Sequence, residues 1–282
     1  MRVLILGAAG MLGHRLMLDW QQKYDVWGTV RGSAGRLPID IERGHIIEDV
    51  DVLHFDSVIE AMEQVAPDVV INCIGIIKQR DEAKQTKLAI EINALFPHRL
   101  AHFCHAARTR LILISTDCVF SGQKGNYTES DPTDPLDNYG KTKSLGEVAE
   151  IPGCVTIRSS IIGHELGTQY GLIEWFLAQN NPIKGYTRAI YTGFPTKTFA
   201  KILDQYVLRS DLEGLWQVSS DPISKYELLH IVKRVYGRTI EIIPDSDVMI
   251  DRSLNSMRFR ERTGYMPAPW ETMIKEMVAD AS

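Results

Sequence analysis

The chain has 282 residues, of which 44% are hydrophobic and 24% are charged, so it is long enough to bury a large core. Its formal net charge is −5, and it has no run of basic residues, which argues against nucleic acid as a main partner. Its four cysteines are scattered without Cys-x-x-Cys or metal-ligand spacing, as in proteins of a reducing compartment. Because the sequence shows neither a signal-like segment nor a transmembrane stretch, we expect a soluble, cytoplasmic protein without a metal site.

The amino terminus predicts a buried strand followed by a glycine-rich turn. The apolar run Arg2–Leu6 leads into three glycines spaced G-x-x-G-x-x-G, and residues 14–21 predict a helix. In a strand–turn–helix unit, such glycines permit a tight turn and let the backbone approach a pyrophosphate. The residues predicted to contact a dinucleotide here are Gly7, Gly10, Met11, Leu12 and Gly13.

The second predicted strand, residues 25–30, ends at Arg31. Dinucleotide folds that prefer NAD usually place a carboxylate at this point, whereas an arginine accommodates the 2′-phosphate of NADP. Arg31 therefore favours NADP(H) over NAD(H). Asp51 and Val52, just before a helix predicted at Phe55–Val65, could contact the adenine, although an ordinary turn or helix cap explains them equally well.

Strands and helices keep alternating as far as residue 158. Beyond the first two strands, the sequence predicts strands at residues 67–72, 111–115 and 154–158, with helices at residues 88–108 and 139–150 between them. This alternation implies a parallel sheet covered by helices on both faces, with ligands beyond the carboxyl ends of the strands. One cleft there could collect Gly7, Asn72, Thr116 and Arg158.

Thr116, Tyr139 and Lys143 predict a carbonyl reductase. Tyr139 and Lys143 are four residues apart on a predicted helix and therefore lie on one face. We expect the ammonium of Lys143 to lower the pKa of Tyr139 from its ordinary value of about 10, which would make the phenol a usable general acid. The hydroxyl of Thr116 could hold a substrate carbonyl oxygen. A Tyr-x-x-x-Lys pair is weak evidence alone, so its position after a strand ending in Ser-Thr-Asp carries the prediction.

Beyond residue 158 the alternation loosens. Helices are predicted at residues 172–179, 199–208 and 224–236, with a Ser224/Glu227 capping box, and at Trp270–Val278; strands are predicted at 214–218 and 239–243. We expect two joined lobes. Residues 1–158 would bind NADP, with a returning segment near 195–220, and residues 159–282 would mainly bind substrate.

Six sequence elements make the chain resemble an extended short-chain dehydrogenase/reductase, most closely the dTDP-4-dehydrorhamnose reductase group. They are the glycine turn, residues 67–73, Ser-Thr-Asp-Cys-Val-Phe at 115–120, Tyr-Gly-Lys-Thr-Lys at 139–143 with Gly-Glu at 146–147, Ile-Ser-Lys-Tyr-Glu at 223–227, and residues 251–256, which are similar to that group's Arg-Pro-x-Asn-Ser element. The resemblance covers nearly the whole length. It implies an α/β fold, a Rossmann-like doubly wound parallel sheet with a smaller carboxyl-terminal substrate-binding lobe.

The resemblance also implies an activity, NADPH-dependent reduction of a 4-keto group on a nucleotide-linked deoxysugar. Thr116 and Tyr139 would hold the keto oxygen, Tyr139 would protonate it, and Lys143 would bind the nicotinamide ribose. The other residues that the resemblance assigns are Cys73 at the cofactor, and Asp117, Arg252, Asn255 and Ser256 at the nucleotide-sugar.

Two segments depart from that group and leave the sugar open. Residues 74–80 replace the group's usual Ala-Ala-Tyr-Thr-x-Val-Asp, and residues 159–163 replace Thr-Ser-Trp-x-Tyr-Gly.

Alternative functions stay open, because nucleotide-sugar epimerases share the fold. Dehydratases carry a glutamate where this chain has Cys118, which argues against dehydration. A non-catalytic NADP-binding regulatory subunit, as in methionine adenosyltransferase, is the third alternative. The nucleotide base, the product stereochemistry and the oligomeric state, with a homodimer as one expectation, stay open.

Overall fold

The computed structural model describes residues 1–77 and 85–279, so Lys78, Gln79 and Arg80 of the first departing segment lie outside the described residues. The strands in chain order are β1 (Arg2–Leu6), β2 (Asp25–Thr29), β3 (Ile46–Ile47), β4 (Val69–Asn72), β5 (Arg110–Thr116), β6 (Cys154–Ser159), β7 (Ile161–Ile162), β8 (Ile183–Tyr186), β9 (Ala189–Tyr191), β10 (Phe194–Pro195), β11 (Gly214–Gln217), β12 (Ile223–Ser224), β13 (Ile242–Asp245) and β14 (Ile250–Asp251).

The helices are α1 (Met11–Trp20), α2 (Phe55–Val65), α3 (Thr86–Ala89), α4 (Phe96–Ala106), α5 (Asn138–Leu145), α6 (Leu172–Leu177), α7 (Thr196–Ile202), α8 (Lys225–Val235), α9 (Met257–Thr263) and α10 (Trp270–Val278). Two π-helical segments, Ile90–Leu95 and Leu203–Val207, join α3 to α4 and extend α7. Among the described residues, none of these helices has both the length and the apolar character needed to cross a bilayer.

A seven-stranded sheet in the order β11-β6-β5-β4-β1-β2-β3 forms the centre of the fold, and all its neighbouring strands are parallel. The predicted parallel sheet is therefore confirmed. Strand β1 shows why its residues form a central strand: Val3 and Ile5 enter one hydrophobic cluster, while Leu4 and Leu6 enter a second on the opposite face. Helices α1, α7 and α10 cover the first face, and α2 and α4 cover the second.

The second half of the chain adds smaller sheets beside the main one. Strand β11 returns to pair with β6, and three small sheets form with the orders β10-β7, β12-β9-β14 and β13-β8. A bridge between Tyr127 and Leu254 attaches the loop after β5 to this second half. Sequence patterning missed most of these strands because each has only two to four residues, too few to show an alternation.

Among the predicted helices that have different bounds in the structure, α1 and α5 lie at the predicted site. Helix α1 begins at Met11 rather than residue 14, because Gly10 is its N-cap and the turn passes directly into the helix. Helix α5 ends at Leu145 rather than residue 150. At Gly146 the chain lies so close to the backbone of Asn93 that an added Cβ would stand 1.9 Å from the Asn93 carbonyl oxygen. The chain turns inward at this point and buries Glu147.

We predict that Gly13→Ala lowers the free energy of unfolding by about 2 kcal/mol or more, because the added Cβ would stand 2.1 Å from the Gly7 carbonyl oxygen and the backbone would have to move. Helix propensity alone predicts the opposite sign, a gain of about 1 kcal/mol. Urea unfolding measures the difference. Gly44→Ala is the control, since nothing lies within 4 Å of its Cβ position. An unfolding free energy for Gly13→Ala equal to or above wild type would contradict the close approach.

Candidate active site

The carboxyl end of β5 carries the first predicted catalytic group. Thr116 is the last residue of the strand and is buried. Its hydroxyl accepts a hydrogen bond from the amide of Cys118 at 3.1 Å and lies 3.2 Å from a carboxylate oxygen of Asp117. The side chain of Thr116 also lies close enough to the phenol of Tyr139 to lower its pKa. Two of the three predicted catalytic side chains are therefore neighbours.

Helix α5 is docked against the end of β5 at two points. Asp137 caps the helix by accepting a hydrogen bond from the amide of Gly140 at 2.8 Å. A Cβ at Gly140 would stand 2.2 Å from the carbonyl oxygen of Cys118, so only glycine permits this approach. One turn further along, Lys143 Nζ donates a hydrogen bond to the Ile114 carbonyl oxygen at 2.7 Å. Together these contacts place Tyr139 and Lys143 on the strand end, as their four-residue spacing predicts.

The expectation that the pKa of Tyr139 is lowered was wrong. Burial raises the pKa of Tyr139 well above its ordinary value of 10, and the neighbouring thiol of Cys118 adds to the increase, whereas the hydrogen bond with Thr116 opposes it. The pKa of Tyr139 responds mainly to these groups, and Lys143 Nζ donates its hydrogen bond to the Ile114 carbonyl. At neutral pH Tyr139 is therefore a fully protonated hydrogen-bond donor.

Lys143 is itself affected by burial. Removal from water lowers the pKa of its ammonium from 10.5 to about 8, and the carboxylate of Glu147 partly offsets this effect. The thiol of Cys73 also faces Lys143, and burial raises the pKa of that thiol to about 12. Cys73 follows β4 and bonds through its amide to Leu6. Cys73 consequently lies between α5 and the glycine turn.

The glycine turn lies beside this group, at the carboxyl ends of β1 and β4. Gly7 has a φ of +87°, which favours glycine, and its Cβ position is blocked by Ile74 at 2.8 Å. Gly10 is exposed and caps α1 through its backbone, and the first turn of α1 contains no acidic residue. The side chain of Leu12 is buried in the core and Met11 is half-buried, so at these two positions the backbone is the part nearest the turn.

Arg31, Asp51 and Val52 come together at the end of β2. Arg31 is exposed one residue beyond Val30, and the amide of Val50 bonds to the carbonyl of Val30 at 3.0 Å. Asp51 accepts a hydrogen bond from the amide of Leu53. This contact fits the alternative interpretation of Asp51 as an ordinary turn residue. Val52 is buried.

Two of the predicted substrate-binding residues lie next to Thr116. Asp117 is buried and burial raises the pKa of its carboxyl, while the positive charge of Arg252 opposes that increase. Arg252 Nε donates to the Phe120 carbonyl oxygen at 2.8 Å, and its Nη1 lies 3.7 Å from Cys118 Sγ. The segment after β14 thus reaches across to the loop that follows β5.

The remaining two predicted substrate-binding residues have internal roles. Ser256 is 3% exposed, accepts hydrogen bonds from Ser219 and Arg260, and donates to the Ser219 carbonyl. The side chain of Asn255 accepts a hydrogen bond from the amide of Met257. The structure therefore brings Arg252 to the loop that follows Thr116, whereas Ser256 joins the start of α9 to the segment after β11.

Sequence reasoning missed Asn93, which ties α5 to the segment after β4. Its amide group donates to Thr142 on α5 at 3.2 Å and to the Ile76 carbonyl at 3.0 Å, and it accepts from the Ile76 amide at 2.8 Å. Asn93 lies in the π-helical segment Ile90–Leu95, and such segments occur frequently at functional sites. The sequence gives no signal for it, because a single asparagine within an apolar helix pattern is unremarkable.

A family model for the RmlD substrate binding domain matches residues 1–282. The chain belongs to this family. The resemblance expected from the motifs is thereby confirmed.

Individual relatives agree with this membership. A dTDP-4-dehydrorhamnose reductase from Aggregatibacter actinomycetemcomitans is 24% identical over 99% of each chain. The methionine adenosyltransferase 2 subunit beta of Mus musculus is 32% identical, with the alignment covering 58% of this chain and 48% of that protein. Among solved structures, a dTDP-4-dehydrorhamnose reductase from Bacillus anthracis in complex with NADP has a TM-score of 0.82 at 21% identity, covering 99% of this chain and 98% of that one. This structural likeness shows that the fold is shared.

Proposed function

We propose that this protein reduces the 4-keto group of a nucleotide-linked deoxysugar with NADPH. The observation that carries the proposal is the proximity of Thr116 and Tyr139, with Lys143 one helical turn away, at the sheet edge where the glycine turn also lies. A hydroxyl, a protonated phenol and an ammonium at one edge suit a carbonyl oxygen that gains a proton. The match to two proteins named dTDP-4-dehydrorhamnose reductase, one in sequence and one in structure, supports the choice of substrate class.

The residues at the amino-terminal turn fit NADP. The turn has glycine where a Cβ would be blocked, and it opens onto the free amino end of a ten-residue helix without acidic residues in its first turn, as a pyrophosphate requires. Arg31 would bind the 2′-phosphate, and Gly7, Gly10, Met11, Leu12 and Gly13 would line the pyrophosphate through their backbone. Cys73 and the Asp51–Val52 turn would flank the nicotinamide and adenine sides. The bound cofactor supplies the hydride that reduces the carbonyl carbon.

The protein's own groups would supply the proton and the orientation. Thr116 and Tyr139 would both donate hydrogen bonds to the keto oxygen and hold it in one position. Tyr139 would then transfer its proton to that oxygen as the alkoxide develops. Because burial disfavours the phenolate that remains, the charged Lys143 one turn away would stabilise it at the moment of transfer.

Arg252 is the cation best placed for the substrate's diphosphate in the part of the chain that the structure describes. It is half-buried, and its side chain reaches the Phe120 carbonyl and the Cys118 thiol, only two residues beyond Thr116. The small lobe, residues 159–282 apart from the segment that returns to the sheet, would bind the nucleotide-sugar. Asp117, which is buried next to Thr116 and is affected by the charge of Arg252, would contact the nucleotide-sugar from the same side.

A regulatory, non-catalytic role is the second candidate, favoured by the match to the methionine adenosyltransferase subunit. A subunit of that kind needs a cofactor site but no proton donor. Turnover of NADPH therefore separates the two candidates.

In the first test of the proposal, Tyr139→Phe should lower kcat for NADPH oxidation by about 100-fold or more, the range for loss of a positioned general acid. Binding of NADPH should barely change. The measurement is steady-state kinetics with dTDP-, UDP- and GDP-linked 4-keto-6-deoxysugars. Tyr24→Phe is the control, because that hydroxyl bonds to Asp204 beyond the carboxyl end of α1, away from the glycine turn. A Tyr139→Phe enzyme that keeps more than a third of wild-type kcat would exclude Tyr139 as the acid.

The second test concerns cofactor choice. Wild type should prefer NADPH, and Arg31→Ala should raise KM for NADPH about 10-fold or more while leaving KM for NADH nearly unchanged, since a charge-assisted hydrogen bond contributes about 1.5–3 kcal/mol. Arg36→Ala, also exposed in the same loop, should change neither constant. If wild type prefers NADH, or if Arg31→Ala weakens both cofactors equally, Arg31 does not bind the 2′-phosphate.

A further inference from the structure

A buried ion pair lies beneath the catalytic helix. Arg158 on β6 and Glu147, two residues beyond the end of α5, form a bidentate pair with distances of 2.8 and 2.7 Å. Their side chains are only 4% and 9% exposed. Ser115 donates a third hydrogen bond, at 2.6 Å, to the same carboxylate oxygen that Arg158 Nε contacts. Glu147 is therefore fixed from two strands at once.

The strand register accounts for this arrangement. Ser115 on β5, Arg158 on β6 and Gln217 on β11 are paired across the sheet, so their side chains leave the same face near its carboxyl edge. The guanidinium of Arg158 also lies over the ring of Phe120, 5.0 Å from its centre. This face therefore presents a buried cation directly below the turn that ends α5.

Removing both charges from water costs free energy, and an arginine–glutamate pair stabilises a fold weakly compared with apolar residues of similar size. Stability alone does not explain the pair. Lys143 is the neighbouring group that Glu147 can affect, because the two side chains bind adjacent residues of β5: Lys143 donates to the Ile114 carbonyl at 2.7 Å and Glu147 accepts from the Ser115 hydroxyl at 2.6 Å. The negative charge of Glu147 accordingly raises the pKa of Lys143. Within residues 1–77 and 85–279, the other groups that face this ammonium are the Cys73 thiol from the end of β4 and the Ile114 carbonyl from β5, neither of which is an anion at neutral pH.

We infer that Glu147 is a positioning residue that acts through Lys143: clamped by Arg158 and Ser115, it keeps the Lys143 side chain charged and directed at the end of β5. The catalytic consequence rests on the proposed function, because a neutral Lys143 would not stabilise the Tyr139 phenolate. Without the carboxylate, burial and the positive charge of Arg158 would both favour the neutral amine.

The direct test is the titration of Lys143 in full-length protein labelled with [¹³Cε]lysine, with the resonance assigned by its loss in Lys143→Met. Wild type should titrate near pH 8. In Glu147→Gln, which keeps the side-chain shape and removes the charge, the midpoint should fall by about one pH unit or more. In Glu147→Asp, which keeps the charge, it should stay near the wild-type value. An unchanged midpoint in a folded Glu147→Gln protein would overturn the inference.

Glu147→Gln leaves Arg158 buried without a counter-charge and so risks unfolding. The double variant Arg158→Gln/Glu147→Gln removes both charges and avoids that problem, and its Lys143 midpoint should again lie below that of wild type, because Glu147 is the charge that raises this pKa. A double variant that is folded and has the wild-type midpoint would also overturn the inference.

Enzyme kinetics test the catalytic consequence of the inference. The alkaline limb of kcat should move to lower pH in Glu147→Gln and not in Glu147→Asp, whereas a merely structural role would lower kcat equally at every pH. If no keto-sugar is reduced by wild type, the proposed function fails while the NMR titration still decides the role of Glu147.

Discussion

The docking of α5 onto the end of β5 is the constraint on which the site depends. Gly140 allows the first turn of the helix to touch the backbone of Cys118, and the Lys143 ammonium bonds to the Ile114 carbonyl at 2.7 Å. These contacts fix both the distance and the rotation of the helix relative to the strand. Tyr139 therefore meets Thr116 without any flexible element between them, which is the preorganisation that a proton transfer needs.

Burial shifts the pKa values of the two titratable groups in this arrangement. It raises the pKa of Tyr139 and lowers that of Lys143 to about 8, so each group is pushed toward its neutral form. The fold compensates on one side only, through the Glu147 carboxylate held by Arg158 and Ser115. In this account the ion pair sets the charge of the catalytic lysine, and the phenol stays protonated until substrate oxygen accepts its proton.

Much of the fold follows from the sequence because it depends on local patterns. The apolar run of β1, the bounds of α2 and the capping box of Ser224 with Glu227 all appear where the residues predict them. The pairing of Tyr139 with Thr116 was also predictable, from helical spacing and the strand end. Neither the inward turn at Glu147 nor the use of Asn93 was, since both depend on contacts with distant parts of the chain. The direction of the Tyr139 pKa was wrong for the same reason, as burial is a tertiary property.

The central claim is that hydride passes from NADPH to a sugar carbonyl while the protein donates the proton. Incubation with NADPH deuterated at nicotinamide carbon 4 and with dTDP-, UDP- and GDP-linked 4-keto-6-deoxysugars tests it most directly, with the product examined by mass spectrometry and NMR. The account predicts one deuterium at carbon 4 of the sugar for each NADPH oxidised, with at least one of these substrates. Absence of NADPH oxidation with all of them, or inversion of the sugar with solvent hydrogen and no net oxidation, would contradict it.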